Sequence, residues 1–195
     1  MRVWVAVLTA MIAACRPAGR LEPHTRSSRL HVTFVAETDS FRLAAREYDS
    51  LWVSEGARIT EAMERAARLT FTDIGDTNVV AIVFEGVSNS GYREKPMHLR
   101  ASYPIATKKA TLMHELGHRL ESELFHASEN DHPYLFLWLY PAWVSAYGED
   151  FAREQVGVEK GRGGVYPAAW DSALALTPGG RAARWDSVRA SRAHP

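Results

Sequence analysis

Cysteine occurs once in these 195 residues, at position 15, so no disulfide can close within the chain. Neither sign of charge is in excess. The 23 Lys and Arg balance 23 Asp and Glu, which argues against a nucleic-acid surface or a polybasic membrane patch. No apolar run approaches the ~20 residues a helix needs to span a bilayer. Internal repeats and low-complexity tracts are absent, and no glycine loop has a phosphate-binding spacing, which argues against nucleotide binding. What is present is an ordinary globular balance, 46% hydrophobic and 24% charged, in a chain whose length suits one domain with a substantial core.

The N-terminus stands apart from that balance. Arg2 precedes an apolar run, Val3 to Ala14, broken only by Thr9. Its length is that of a signal-peptide core with small residues before the cut. Ile12-Ala13-Ala14-Cys15 resembles a bacterial lipobox, in which the cysteine becomes the lipidated first residue. Residues 1–15 therefore read as signal peptide and lipobox. Residues 16–29, rich in Arg, Pro, Ser and Gly without apolar periodicity, read as a tether. The expectation is a lipid-anchored protein of the bacterial cell envelope, held to the membrane only through Cys15. The alternative is a cytoplasmic protein whose first element ends in an incidental cysteine.

The stretch around which the remaining chain is organised is Thr111-Leu112-Met113-His114-Glu115-Leu116-Gly117-His118-Arg119-Leu120. Residues four apart share a helix face, so His114 and His118 can grip one Zn²⁺ at roughly 2.0–2.1 Å from each nitrogen. Glu115 lies about a quarter-turn round the helix, suited to take a proton from water rather than to ligate. Leu112, Met113, Leu116, Leu120 and Leu124 recur at helical spacing, so the helix is half-buried. Gly117, a poor helix former between the two histidines, points to a close neighbour. With His-Glu-x-x-His at 114–118, the chain resembles the zincin metallopeptidases. The metzincin extension requires Gly at 121 and His at 124; Glu121 and Leu124 exclude that branch. The resemblance implies a gluzincin-like domain over residues 30–195, with a third zinc ligand downstream.

Four residues are candidates for that ligand: Glu149, His132, His126 and Asp131. Pro141 is acceptable as the first residue of a helix on which Ala142, Ser145, Ala146, Glu149 and Ala152 share one face. Such small residues would let Glu149 approach the two histidines. Glu149-Asp150-Phe151-Ala152 also resembles the Glu-x-Phe-Ala carrying the third ligand in several gluzincin aminopeptidases, although the interval from His118 is longer here. His132 sits in the turn Glu129-Asn130-Asp131-His132-Pro133, from which it could swing back to complete a three-histidine site. Glu149 is favoured slightly over His132.

The other segments predict an α+β domain, a small twisted sheet packed on helices, with a helix after the metal helix completing the site. Leu30–Ala36 alternates as a strand, and a helical stripe runs from Phe41 to Leu69 with Gly56 a candidate bend. Val79–Phe84 is apolar throughout, which suggests a strand covered on both faces. Residues 97–103 predict a short strand. By analogy with zincins, it would pair along its edge with an extended peptide substrate. Two helices, beginning near Tyr166 and over Arg181–Arg192, close the chain, the latter with Trp185 and Val188 inward.

The resemblance implies hydrolysis of a peptide or protein substrate by a zinc-activated water, with Glu115 as general base and then acid. The oxyanion donor would come from Tyr134, Tyr140, Tyr147 or whichever of His132 and His126 is not a ligand. Two other readings remain: a tethered metal-binding or interaction lipoprotein without turnover, and a metallohydrolase of a non-peptide amide.

Overall fold

The computed structural model describes residues 30–91, 95–126 and 129–192. The lipobox at Cys15 and the tether 16–29 lie outside the described residues, among which no helix is long and apolar enough to cross a membrane. The fold is mixed α and β, a three-stranded parallel sheet packed on helices. Its strands are β1 (His31–Ala36), β2 (Asn78–Phe84) and β3 (Met97–Arg100), in that order across the sheet.

Parallel neighbours need a crossover, and α1 (Arg42–Ala67) supplies it between β1 and β2. Gly56 does not bend α1, which runs unbroken past it. A Cβ at Gly56 would come 2.8 Å from the Trp52 ring, so the glycine makes room for a tryptophan. One face of the sheet is buried through Val32, Val79, Ala81, Val83, Met97 and Leu99. The other face is open: Val80 and Val35 are 47% and 46% exposed. The expectation that β2 is covered on both faces is thus corrected. Its apolar run follows β propensity rather than two-sided burial.

His114, Glu115 and His118 lie on α2 (Ile105–Leu120), and only four of its sixteen residues escape burial. The next helix, α3 (His132–Tyr147), is apolar all round and central, touching α1, α2 and the three helices that follow. Those are α4 (Glu149–Lys160), α5 (Tyr166–Leu174) and α6 (Pro178–Arg192). Trp138, Trp143, Trp170 and Trp185 are essentially fully buried around α3. Each removes ~150–250 Å² from water, worth several kcal/mol at about 25 cal/mol per Å².

The boundaries of α3 overturn one expectation. Pro141 lies inside this helix rather than opening a new one. Burial of Leu135–Tyr140 and Trp143 outweighs the one backbone hydrogen bond that proline forfeits. The break comes at Gly148, whose φ of 90° is open to glycine and strained for other residues. Glu149 therefore begins α4 and shares no helix face with Ala142 and Ser145.

Candidate metal centre

Two helix ends build the centre. The C-terminal half of α2 presents His114, Glu115 and His118, and the N-terminus of α3 presents His132. What holds α2 against α3 is the glycine between the first two histidines. A Cβ on Gly117 would lie 2.7 Å from Leu135 Cδ1 and 3.2 Å from the Trp138 ring, so only glycine permits this approach. Phe136 stacks on Trp170 at 3.9 Å between ring centroids, which fastens α5 beside the same end of α3.

Nitrogens of His114, His118 and His132 lie within 4.8 Å of one another. Nε2 of His114 and Nε2 of His118 are 3.0 Å apart. Two nitrogens on one tetrahedral zinc would stand about 3.3 Å apart, so the pair needs little adjustment to share an ion. Each of these two imidazoles is oriented through its other nitrogen. Glu159 Oε1 lies 2.7 Å from His114 Nδ1, and Asp131 Oδ2 lies 2.8 Å from His118 Nδ1. A carboxylate at Nδ1 keeps the proton there and turns the Nε2 lone pair inward, the arrangement metal-ligating histidines use. Glu159 is held in turn by Trp170 Nε1, which donates to its other oxygen at 2.9 Å.

Burial governs the charges. His132 is pushed down to about 3, first by burial and then by His114 and His118, so it offers a neutral nitrogen. Burial would also lower His114, but the Glu159 carboxylate outweighs it and raises the imidazole. Glu159 and Asp131 stay below the usual carboxylate range despite burial, held there chiefly by His114 and His118 respectively. Glu115 behaves oppositely: burial raises its carboxyl, against the pull of His114, His118 and Arg162. A carboxylate with increased basicity beside the three nitrogens is suited to accept a proton.

A cavity of about 260 Å³ opens over these groups and includes His114, Glu115, His118 and His132. Ser88, Asn89 and Ser90 form one wall. Asn89 pairs antiparallel with His98, through hydrogen bonds of 3.0 and 2.8 Å, and Ser88 Oγ accepts from the Arg100 N–H at 3.0 Å. Arg119 clamps this segment to α2. It forms two bonds to Asp76, at 2.7 and 3.0 Å, and donates to the carbonyls of Ser90 and Lys95. The expectation for residues 97–103 is corrected accordingly. Only 97–100 form a strand, and its outer edge at His98 is already occupied by Asn89. The segment against the cavity is 88–90.

The structure brings His132 to the histidine pair and Asp131 behind it, while His126 reaches only the cavity wall. Glu149 is not brought there. It is half-exposed on another flank, where it accepts from Tyr140 OH at 2.7 Å and from Arg153 at 3.1 Å. Tyr134 stacks on Phe125, Tyr140 is committed to Glu149, and Tyr147 packs on Phe151. The tyrosine that does line the cavity is Tyr166, its ring 5.8 Å from that of His114 and 4.7 Å from that of His132. Burial and the charges of Glu115 and Glu159 raise its phenol to about 12, so it remains a hydrogen-bond donor. Neither Tyr166 nor Glu159 carried a sequence signal, because each reaches the site from a helix with no motif of its own. Comparison with known protein families, with curated proteins and with solved structures finds no match for this chain.

Proposed function

We propose that this chain is a zinc-dependent peptidase with His114, His118 and His132 as ligands and Glu115 as general base. The observation that carries the reading is the convergence of three imidazole nitrogens within 4.8 Å in the cavity that also holds the Glu115 carboxyl. Three imidazoles with space for a further group are the donor set of a catalytic zinc site. When bound, the ion supplies Lewis-acid polarisation of a carbonyl and favours ionisation of water at neutral pH.

The chain's own residues do the rest. Glu115 takes a proton from the attacking water and delivers it to the leaving amine, and its raised basicity suits both transfers. Tyr166 donates its O–H to the oxygen on which charge develops. Glu159 and Asp131 hold two imidazoles in one tautomer and orientation, so neither ring must reorganise during the reaction. Ser88 to Ser90, an antiparallel neighbour of β3, offers main-chain groups along which an extended peptide can lie.

The test is metal analysis of the purified protein together with cleavage of a mixed peptide library. The expected result is about one zinc per chain and cleavage that a chelator abolishes. Glu115→Gln should retain zinc and lose turnover by a factor of roughly 10²–10⁴. Zinc uptake with no cleavage of any peptide would leave a metal-binding protein without turnover. Near-normal hydrolysis by Glu115→Gln would remove the assigned base.

A further inference from the structure

Arg162 lies in the turn between α4 and α5, where Gly163 and Gly164 both have positive φ, at 73° and 60°. That two-glycine turn reverses the chain tightly enough to set Arg162 and Tyr166 side by side. The guanidinium lies 5.8 Å from the Tyr166 ring centre and 5.6 Å from that of Tyr103. Its Nη2 donates to Thr111 Oγ1 at 3.1 Å. Thr111 stands one turn before Glu115 on the same helix, so the cation is fixed about 5–6 Å along α2 from the proposed base. Two aromatic faces and a hydroxyl hold a guanidinium rigidly while leaving much of its hydrogen-bonding fork unused.

No carboxylate among the described residues is bonded to that fork. Among the described residues, Arg162 bonds a threonine hydroxyl and the Tyr166 phenol, and it forms no ion pair. The nearest acid by its electrostatic influence is Glu159, but both its oxygens are committed, one to His114 and the other to Trp170. Glu115 also feels Arg162 without bonding it. Three buried or half-buried cations nearer α2 are closed off by acids: Lys108 by Glu47, Lys109 by Glu55 and Arg119 by Asp76. Arg162 is partly exposed, and a group bonding its free fork breaks no ion pair of the guanidinium.

We infer that Arg162 selects substrates bearing a peptide carboxylate about one helical turn from the bond to be cut. This assignment rests on the peptidase reading above. The carboxylate is either the substrate's C-terminus or an Asp or Glu side chain; both present the planar pair of oxygens that a guanidinium fork accepts.

The experiment compares matched peptides, with a free or amidated C-terminus and with Glu or Gln at each internal position. Cleavage is followed with the zinc-loaded full chain, and binding with its Glu115→Gln variant, which needs no turnover. One carboxylate should favour binding by roughly tenfold to a hundredfold, and which peptide shows the gain identifies its source. Arg162→Gln should erase that preference, read as the ratio of affinities for the acidic and neutral peptides, and Arg162→Lys should keep part of it. Binding that ignores the carboxylate in the wild-type background overturns the assignment, whether or not Arg162→Gln folds. A preference that survives intact in folded Arg162→Gln overturns it too. Carboxylate-dependent, Arg162-dependent binding without any cleavage would uphold the assignment and sink the hydrolytic reading instead.

Discussion

Glu159 Oε1 lies 2.7 Å from His114 Nδ1, although 45 residues separate them in the chain. Both side chains are only about 1% exposed, so the contact is made away from water. A buried carboxylate is expensive unless it is paired and hydrogen-bonded, and this one is both, through His114 and Trp170. The same contact decides which imidazole nitrogen faces the cavity.

Replacing Glu159 should therefore weaken metal binding without touching a ligand. Glu159→Gln is expected to lower zinc affinity roughly 10–100-fold, measured by competition with a chromophoric chelator. Glu159→Ala leaves the Trp170 N–H and the His114 Nδ1 without their acceptor and should also unfold earlier, by about 3–5 kcal/mol in denaturant titration. Unchanged zinc affinity in a folded Glu159→Gln protein would mean that His114 keeps its orientation by packing alone.

A zinc held by the two histidines on α2 would need a third donor, and His132 and Glu149 make opposite predictions. His132→Ala should lose zinc affinity by roughly a hundredfold or more, given the ~10–16 kcal/mol that a zinc site shares among its ligands. Glu149→Ala should bind zinc like the wild type. Its contacts with Tyr140 and Arg153 lie at the solvent surface, so their loss should cost little stability. Metal content of the two purified variants separates the cases directly.

Where the chain order and the helical period decide the outcome, the site was legible in the sequence. His114, Glu115 and His118 fall on one buried helix because a five-residue pattern has one geometry there. Gly117 signalled a close neighbour, and the Leu135 side chain is that neighbour. The inward pair Trp185 and Val188 follows from the same period on α6. In the sequence Pro141 marks a helix start that would carry Glu149 toward the site, whereas tertiary burial carries α3 straight through it and leaves Glu149 on α4. Glu159, Tyr166 and Arg162 were illegible for a different reason. Their roles come from the packing of α4 and α5 on α2 and α3, and no local spacing encodes which helix faces will meet.

Gly117 supports a prediction about packing. Alanine gains about 1 kcal/mol of helix propensity over glycine. At this position its methyl would meet the end of Leu135 and the Trp138 ring, both essentially fully buried. Overpacking costs about 1–3 kcal/mol, so Gly117→Ala should be net destabilising in urea titration of the metal-free protein, and Gly117→Val more so. Because the clash forces α3 away from α2, zinc affinity should fall along with stability. A Gly117→Ala protein more stable than wild type would show that the helices can separate without cost.

Glu121 ties stability to pH. It is fully buried beneath the site: Trp138 Nε1 donates to one oxygen, while the other faces His118 Nδ1 at 3.9 Å, and the protonated carboxyl bonds Asp131. Burial, reinforced by the nearby Asp131 charge, raises this carboxyl well above the usual glutamate range. The folded protein therefore holds a proton that the unfolded chain releases near the ordinary value. Stability is full below that ordinary value and is lost as pH rises through the folded one. The loss is about 1.4 kcal/mol per pH unit for a single proton. Glu121→Gln keeps an acceptor for Trp138 and cannot ionise, so it should remove this component of the slope. Denaturant titrations of the metal-free proteins from mildly acidic to neutral pH measure the difference. If the two curves run parallel throughout, Glu121 is ionised in the folded state, and the cation that stabilises it must be sought around His118.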